Sequence, residues 1–165
     1  IQPDVPVEET RYSKLAQALI KNDLLFKFAN QFRSTHDSID EPLKYSVSDD
    51  VFNEFKQFIA DKEYSYTTQT ERDLEKLEKQ AKEEKYFSLL EEELTKLKKA
   101  LESTKQSDLE NHKTELKELL EYEIVKRYYF EKGKVEVGFD DDVEWAKAKS
   151  ILNNSNAYNN LLIVN

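Results

Sequence analysis

The sequence predicts an all-α protein with a helical body, a long antiparallel helical hairpin and a short extended N-terminal segment. The 165 residues include only two glycines and three prolines, which leaves few positions for tight turns and bulges. Charged residues make up 36% of the chain and apolar residues 38%, a balance that fits helices with a narrow apolar stripe and wide solvated faces. Apolar side chains also recur mainly at steps of three and four residues, the spacing of an α-helix.

The N-terminal stretch "IQPDVPV" is predicted to be extended. Pro3 and Pro6 have no N–H to donate to a β-ladder, so they indicate the end or the edge of a strand. So short a strand is not stable alone. Because the chain starts with Ile1 and contains no Met, we expect an excised fragment. Residues 1–9 would then be the remnant of the last strand of a missing core, and 10–165 a helical domain.

Two segments rich in phenylalanine follow. Residues 10–35 have apolar side chains at mostly helical spacing, with Thr10 as a candidate N-cap and a kink or break expected at Asn22–Asp23. After a polar loop, Ser48 is predicted to cap a helix over 49–62. The side chains on one face of that helix are Val51, Phe52, Phe55, Phe58 and Ile59.

The predicted hairpin covers about residues 70–131. Its first arm is a single helix over 71–102, roughly 48 Å long at 1.5 Å per residue. Ser107 and Glu110 have the spacing of a capping box and predict the start of the second arm, which ends before Gly133. Two long helices joined by a short loop favour an antiparallel pair.

The C-terminal region is predicted to mix short elements. Residues 133–139 are expected to be extended, and Asp140 to cap a helix over 141–153. Residues 154–160 are predicted as a loop, and 161–165 as a packed segment or a single strand. Two arrangements remain open, a compact bundle and a small helical body with a projecting hairpin.

Charge and composition exclude several classes of protein. The net charge of −9 and the pI near 4.9 provide no basic surface for a phosphate backbone, so nucleic acid is not an expected partner. No apolar run approaches the ~20 residues of a membrane-spanning helix; the longest run is Leu161–Val164. The absence of cysteine removes disulfides, thiolate nucleophiles and zinc–thiolate sites.

The two histidines are the only candidates for a general base. His36 lies in a polar loop beside Asp37, and His112 lies in a charged helical segment with Glu110 and Glu115 nearby. The sequence has no G-x-S-x-G motif and places no nucleophile near either histidine. We therefore interpret both histidines as solvent-exposed and assign no catalytic residue.

The acidic clusters do not predict a metal site. Asp140–Asp142 lacks the spaced ligands and the glycine of an EF-hand loop, so a helix cap explains it better. Glu91–Glu93 is one of many carboxylate runs, and the chain has no Glu-x-x-His pattern for a di-iron site. No metal and no cofactor are expected.

The aromatic residues predict packing more than ligand binding. Most lie at helical spacing and are expected to form the core of the body. Tyr64 and Tyr66, in a loop, are the better candidates for a contact surface. Taken alone, these residues describe an acidic helical module that binds protein surfaces and catalyses nothing.

Four stretches resemble the bacterial carboxyl-terminal processing peptidases, a Ser-Lys family. "IQPDVPV" is similar to the end of their catalytic core, and "LLEYEIVKRYYFEKGKVEVGFDDDVEWAKAKSILNN" resembles their C-terminal pattern. "KNDLLFKFANQF" and "DDVFNEFKQFI" are similar to two Phe-rich segments that follow the core in some members. Together the resemblance covers most of the chain, and residues 71–105 are its least diagnostic part.

The resemblance implies a context and no active site. The nucleophilic Ser, its Lys base and the PDZ module of this family lie upstream of the Pro-Asp motif, so none of them is carried over to this chain. The parent enzyme would cleave proteins near their C-termini in the periplasm or cell envelope. This domain would brace the peptidase core, shape substrate access or pair subunits. Its candidate partners are the core, protein substrates and a second copy of the chain.

A rival hypothesis is a stand-alone coiled-coil scaffold that self-associates through residues 71–131. It predicts that Leu94→Glu with Leu116→Glu breaks an oligomer held together by the leucine stripe. A helical enzyme that uses His36 or His112 is the third hypothesis and requires a pocket around a histidine.

Overall fold

The computed structural model describes residues 5–7 and 11–163, without the side chains of 139–141 and 163. The described residues include no β-strand, and the prediction of an all-α fold is confirmed. No described helix is both long and apolar enough to cross a membrane. In the described part of the chain the helices are α1 (Lys14–Lys21), α2 (Leu24–Thr35), α3 (Asp49–Ile59), α4 (Gln69–Glu83), α5 (Phe87–Gln106), α6 (Asp108–Asn111), α7 (Lys113–Asp141), α8 (Val143–Leu152) and α9 (Ser155–Ile163).

The chain forms two compact units, each with buried apolar side chains of its own. The hairpin unit comprises residues 12–28 and 47–119, and the terminal unit comprises the described residues of 1–11, 29–46 and 120–165. The largest buried side chains of the hairpin unit are Leu15, Leu19, Leu24, Leu25, Phe28, Phe52, Phe55, Ile59, Leu74, Leu94 and Leu116. Those of the terminal unit are Phe32, Leu120, Ile124, Val125 and Val137.

The first Phe-rich segment is broken as predicted. α1 ends at Asn22, and Asp23 has a φ of 57°, a conformation that Asp tolerates better than most residues. The helix starts later than predicted, because Ser13 Oγ accepts the N–H of Ala16 at 3.1 Å and caps it. Thr10, the predicted cap, lies outside the described residues.

The cap and the apolar face predicted for α3 are confirmed. Ser48 Oγ accepts the N–H of Val51 at 3.2 Å. Phe52 and Phe55 are fully buried, and the Phe55 ring meets Phe28 edge-on with 5.3 Å between centroids. An edge-to-face pair of this kind adds to the free energy of burial. These rings form the centre of the body, which consists of α1, α3 and the adjoining ends of α2 and α7 in the hairpin unit.

The prediction of one helix over 71–102 is wrong. α4 and α5 are separated by a reversal at Lys85, whose φ is 63°. The N–H of Tyr86 donates to the carbonyl of Ala81 at 2.9 Å, and the N–H of Lys85 to that of Lys82 at 3.3 Å. These two bonds are those of a Schellman helix end. Glycine or asparagine usually occupies the left-handed position, so a lysine there carries no sequence signal.

The antiparallel hairpin is therefore formed by α4 and α5. Glu71, near the start of α4, pairs with Lys105, near the end of α5. Glu78, further along α4, pairs with Lys98, which comes earlier in α5. This order of pairs is that of two antiparallel helices. Leu74, Ala81 and Leu94 are buried in this pair. The hairpin spans residues 69–106 instead of about 70–131, and the predicted second arm belongs to α6 and α7.

The capping box predicted at Ser107 is wrong. The Ser107 side chain caps nothing, and the Glu110 carboxylate binds Lys56 Nζ at 2.6 Å. A capping box forms instead at the start of α4. There Thr68 Oγ1 accepts the N–H of Glu71 at 3.1 Å, and the Glu71 carboxylate accepts the N–H of Thr68 at 2.6 Å. The T-x-x-E signal for this box is present in "TQTE".

The prediction of an extended segment over 133–139 is wrong, because α7 folds back on itself at Phe130, whose φ is 57°. A Cβ at Gly133 would lie 2.3 Å from Cβ of Tyr129, and one at Gly138 would lie 2.9 Å from the hydroxyl of Tyr122. The two glycines thus allow both arms of α7 to approach closely. The glycines matter at these positions because they have no side chain, and neither of them has a left-handed φ.

The end of α2 is bound to the first arm of α7 within the terminal unit. The hydroxyl of Tyr128 donates to the carbonyl of His36 at 2.6 Å, and Nε of Arg127 donates to Oδ1 of Asn30 at 2.7 Å. Burial of Phe32, Ile124 and similar side chains supplies the apolar part of this packing.

Two further corrections concern the C-terminal region. The cap of α8 is Asp142 instead of Asp140, with its Oδ1 accepting the N–H of Trp145 at 2.8 Å. The predicted loop over 154–160 is wrong, since α9 covers most of it and continues into the segment predicted as packed or as a strand. Asn154, one of the residues that suggested a loop, caps α9 by accepting the N–H of Ala157.

The N-terminal strand remnant is described only in part. Val5–Val7 has no regular secondary structure, and residues 1–4 and 8–9 of the predicted remnant lie outside the described residues.

Candidate functional site

His36 has a structural environment at the end of α2. Its ring stacks on Phe32 with 3.9 Å between centroids, and its Nδ1 lies 3.0 Å from Oγ1 of Thr35. Nδ1 is also within 3.1 Å of the carbonyl of Phe32. No carboxylate contact orients the ring in the described residues, so the contacts fit a helix end better than a general base.

His112 lies at the break between α6 and α7. Its Nδ1 is 3.8 Å from Oε2 of Glu115, and Oε1 of the same carboxylate accepts the N–H of Ser13 at 2.7 Å. Glu115 thereby connects the start of α1 to α7. No hydroxyl lies within hydrogen-bonding distance of this ring among the described contacts, so the geometry provides a base without a nucleophile.

The acidic clusters also have structural partners where they are described. Glu92 and Glu93 both bind Lys96, at 2.7 and 3.0 Å. Asp142 is the cap of α8. Among the residues whose side chains are described, no three His, Cys, Asp or Glu residues come together in a group that could hold a metal.

Tyr64 and Tyr66, predicted as a contact surface, line a cavity of about 370 Å³ at the base of the hairpin. The apolar part of its wall comes from Leu15, Ile59, Ala60 and Leu109. The polar part comes from Lys62, Tyr64, Tyr66, Lys105, Gln106 and Asp108. Both tyrosines are half-buried instead of protruding into solvent.

Lys105 and Asp108 hold Tyr66 in place. Nζ of Lys105 donates to the carbonyl of Tyr66 at 2.6 Å and lies 4.5 Å from the centre of its ring, in a cation–π contact. The Tyr66 hydroxyl donates to Oδ2 of Asp108 at 2.7 Å. Lys105 also binds Glu71 at 3.0 Å. The lysine charge is therefore already paired inside the protein.

The phenols of this cavity are not acids at neutral pH. Burial raises the pKa of the Tyr66 hydroxyl, and the hydrogen bond to Asp108 raises it further. Burial also raises the pKa of Tyr64. Neutral phenols, a paired lysine and apolar walls can bind a side chain, but they supply neither a nucleophile nor a base.

Two further grooves lie on the helices. A cavity of about 210 Å³ between α4 and α5 is lined by Thr67, Glu71, Leu74, Glu75, Lys98, Leu101 and Glu102. Another of about 400 Å³ lies between the N-terminal segment and α8 and is lined by Val5, Val7, Glu144, Lys147, Ala148 and Ile151.

The sequence did not reveal that Lys105 and Asp108 belong with Tyr66. They are 39 and 42 residues away from it along the chain, and both occur in a polar stretch where charged residues are common. Only the Thr68–Glu71 capping box, which fixes the start of α4 beside Tyr66, had a local signal.

The two leucines chosen to test the scaffold hypothesis are buried inside the chain's own fold. Leu116 is fully buried and Leu94 is 6% exposed. Exchange of either residue for Glu would place a carboxylate in an apolar core. The double substitution would therefore unfold the hairpin unit and could not report on self-association.

A family model described as "Probable PDZ-protease, C-terminal helical domain" matches residues 15–152. The matched residues include the Phe-rich segments, the whole α4–α5 hairpin and α7. No curated protein and no solved structure matches the chain.

Proposed function

Because the chain belongs to the family of C-terminal helical domains of probable PDZ-proteases, we propose that it is the non-catalytic C-terminal domain of a serine-type carboxyl-terminal processing peptidase. The family match over residues 15–152 is the observation that carries this proposal. The serine chemistry and the preference for protein C-termini rest on the resemblance of "IQPDVPV" to the end of a Ser-Lys peptidase core.

The side-chain geometry supports a binding role for this domain. Its two histidines contact a helix end and a structural carboxylate. The cavity at Tyr64 and Tyr66 contains neutral phenols and a lysine paired with a carboxylate. Hydrolysis of a peptide bond requires an activated nucleophile and a group that accepts its proton, and these surfaces are better suited to hold a polypeptide or another domain.

The hairpin is the element best suited to shape substrate access. α5 is 20 residues long, or about 30 Å at 1.5 Å per residue. Lys105 joins the end of α5 to Glu71 in α4 and to Tyr66 in the loop before it, so the two arms keep a defined direction relative to each other. We place the parent enzyme in the cell envelope and include subunit pairing as a further role of the domain.

Cleavage of an unfolded protein with an apolar C-terminus tests the proposal. Three proteins are compared: the full-length parent, the parent truncated before Ile1, and the 165-residue chain. A parent whose nucleophilic serine is changed to Ala serves as the matched control. We expect cleavage by the parent and background rates from the control and the isolated chain.

The truncated parent separates the possible roles. If this domain shapes substrate access, the truncated enzyme retains cleavage of a short peptide but loses cleavage of the unfolded protein. If the domain braces the core, both activities fall together with the melting temperature. Cleavage by the isolated 165 residues above the rate of the control would overturn the proposal.

A further inference from the structure

The α4–α5 hairpin has three leucines that its own packing leaves in contact with solvent. Leu77 on α4 is 48% exposed, and Leu90 and Leu97 on α5 are 39% and 45% exposed. Leu74 and Leu94, each within one helical turn of them on the same helices, are buried. The apolar stripe of each helix is therefore wider than the contact between the two helices.

On α5, the exposed leucines point to the side opposite Lys98. At 100° per residue, Leu90 and Leu97 are turned about 40° and about 60° away from the buried Leu94 in the same direction. Lys98 is turned about 40° away from Leu94 in the other direction.

On α4, Leu77 and Glu78 are related in the same way. Leu77 is turned about 60° to one side of the buried Leu74, and Glu78 is turned about 40° to the other side. Glu78 binds Lys98 across the two helices, so this ion pair identifies one side of the hairpin. The exposed leucines share the opposite side. This leucine face consists of Leu77, Leu90 and Leu97.

The spacing of the leucines on α5 predicts that the leucine face is covered by helices. Leu90, Leu94, Leu97 and Leu101 follow one another at steps of four, three and four residues, the a/d repeat of helices that pack side by side. In a four-helix bundle each helix has two neighbours and needs an apolar stripe wide enough for both. The hairpin supplies one neighbour for each helix, and the leucine face is the part left for a second.

The charges beside the leucine face favour a second copy of this chain as the partner. Asp73 and Glu93 precede Leu77 and Leu97 by four residues and are turned about 40° further outward. Asp73 binds Lys76 at 3.0 Å, and Glu93 binds Lys96 at 3.0 Å. Because each of these carboxylates is paired within its own helix, an identical hairpin meets no unpaired charge of like sign there. Surfaces with unpaired carboxylates would repel a second copy, since the chain has a net charge of −9.

We infer that two copies of this chain pair through their leucine faces, hairpin against hairpin, in a four-helix arrangement with two-fold symmetry. The inference rests on the subunit pairing included in the proposed function, names its surface, and does not require peptidase activity. α4 is 15 residues long, so this side of the hairpin measures about 22 Å by roughly 20 Å, or roughly 400 Å² per copy. Interfaces this small are weak, so the dimer is expected to dissociate below about 10 µM.

Sedimentation of the 165-residue chain between about 5 and about 500 µM tests this inference. We expect a monomer at the lowest concentration and a dimer at the highest. Leu77→Glu with Leu97→Glu should raise the dissociation constant at least about tenfold, because it places carboxylates in the apolar centre of the interface. Leu43→Glu with Leu152→Glu is the matched control. It adds the same two charges at exposed positions outside the hairpin and should leave the constant unchanged.

Cross-linking through single cysteines gives a second, independent measurement. The chain has no cysteine, so one introduced thiol reports on one position. Leu97→Cys places the thiol on the leucine face, and Glu75→Cys places it on the side of the Glu78–Lys98 ion pair. A short bis-maleimide should join two copies of the Leu97→Cys variant at least about tenfold faster than two copies of the Glu75→Cys variant. If the double glutamate variant loses helicity by circular dichroism, the cross-linking rates decide.

Each other outcome overturns the inference. A monomer over the whole concentration range means that the leucine face does not pair two copies. A dimer that survives Leu77→Glu with Leu97→Glu, or equal cross-linking of the two cysteine variants, means that another surface pairs them. A monomer whose Leu97→Cys thiol is shielded only when unfolded protein is added means that the leucine face binds substrate. The proposed function is tested separately by cleavage with the parent, and its failure leaves this dimer in place.

Discussion

Two regions of the hairpin unit differ in how they are stabilised. The body, formed by α1, α3 and the adjoining ends of α2 and α7, buries large side chains such as Phe28, Phe52 and Phe55. The α4–α5 hairpin buries Leu74, Ala81 and Leu94. Ion pairs cross between the two arms of the hairpin, whereas aromatic rings meet in the middle of the body.

The difference shows that one short chain combines a tightly packed body with a less strongly stabilised hairpin. Burial of aromatic rings supplies several kcal/mol per side chain and restricts the packing to one arrangement. Exposed ion pairs supply little stability each and are screened by salt. The hairpin is therefore the region expected to open first, while its charged surface remains available for a partner.

The largest effect is expected from Phe55→Ala in the body. Phe55 is fully buried and contacts the ring of Phe28, so the free energy of unfolding should fall by about 3–5 kcal/mol. Urea denaturation followed by circular dichroism measures the loss. Phe26→Ala, at a position 51% exposed on the neighbouring helix, should cost under about 1 kcal/mol. Equal losses for both variants would contradict the assignment of the core.

A smaller and more local effect is expected from Leu94→Ala in the hairpin. Leu94 is 6% exposed and is the buried leucine of α5, so its truncation should cost about 2 kcal/mol. Hydrogen exchange should accelerate in α4 and α5 and remain unchanged at Phe55. Leu89→Ala is the control, since Leu89 is 78% exposed on the same helix. Acceleration in the body would mean that hairpin and body open as one.

The hydrogen bond at the base of the hairpin is tested by Tyr66→Phe. The change removes the hydrogen bond to Asp108 and leaves the ring, so the loss should be about 1.5 kcal/mol, as expected for a bond to a charged acceptor. Tyr64→Phe is the matched control, because the Tyr64 hydroxyl makes no hydrogen bond within the described residues. Thermal denaturation of both variants gives the comparison. An equal shift in Tm would mean that the hydrogen bond from Tyr66 to Asp108 adds no stability.

The smallest effect is expected from acid. Hydrogen bonds from Lys82 and Lys98 lower the pKa of Glu78 to about 2. Its folded-state pKa is lower than its unfolded-state pKa, so its stabilisation is complete above about pH 4.3 and is lost as the pH falls towards 2. Hydrogen bonds from Thr68 and Lys105 also lower the pKa of Glu71. The stability of the hairpin should therefore decrease between pH 5 and pH 2.

Glu78→Gln makes this effect attributable to one residue. The variant should lose less stability than the unmodified chain between pH 6 and pH 3, measured as the difference in Tm. Glu91→Gln is the control, because Glu91 has no ion-pair partner among the described residues. If the two variants respond equally to acid, the Glu78 ion pairs do not contribute to the stability of the hairpin.

Features encoded within a few residues could be predicted from the sequence alone. The Ser48 cap, the break at Asn22–Asp23 and the apolar face of α3 each depend on hydrogen bonds or spacing inside one or two helical turns. The helical composition likewise determined the fold class. That Tyr64 and Tyr66 form a contact surface stays a prediction, since the structure shows only that both are half-buried and line a cavity.

The path of the chain was determined only by the tertiary structure. The reversals at Lys85 and Phe130 place non-glycine residues in left-handed conformations, which are favourable only because of contacts made by distant residues. Ala81 and Leu94 are buried on either side of the first reversal, and Gly133 approaches Val125 across the second. Lys105 reaches Tyr66 for the same reason. The conformational preferences of single residues show that these turns are unfavourable in free energy. They do not show the tertiary packing that compensates for this cost.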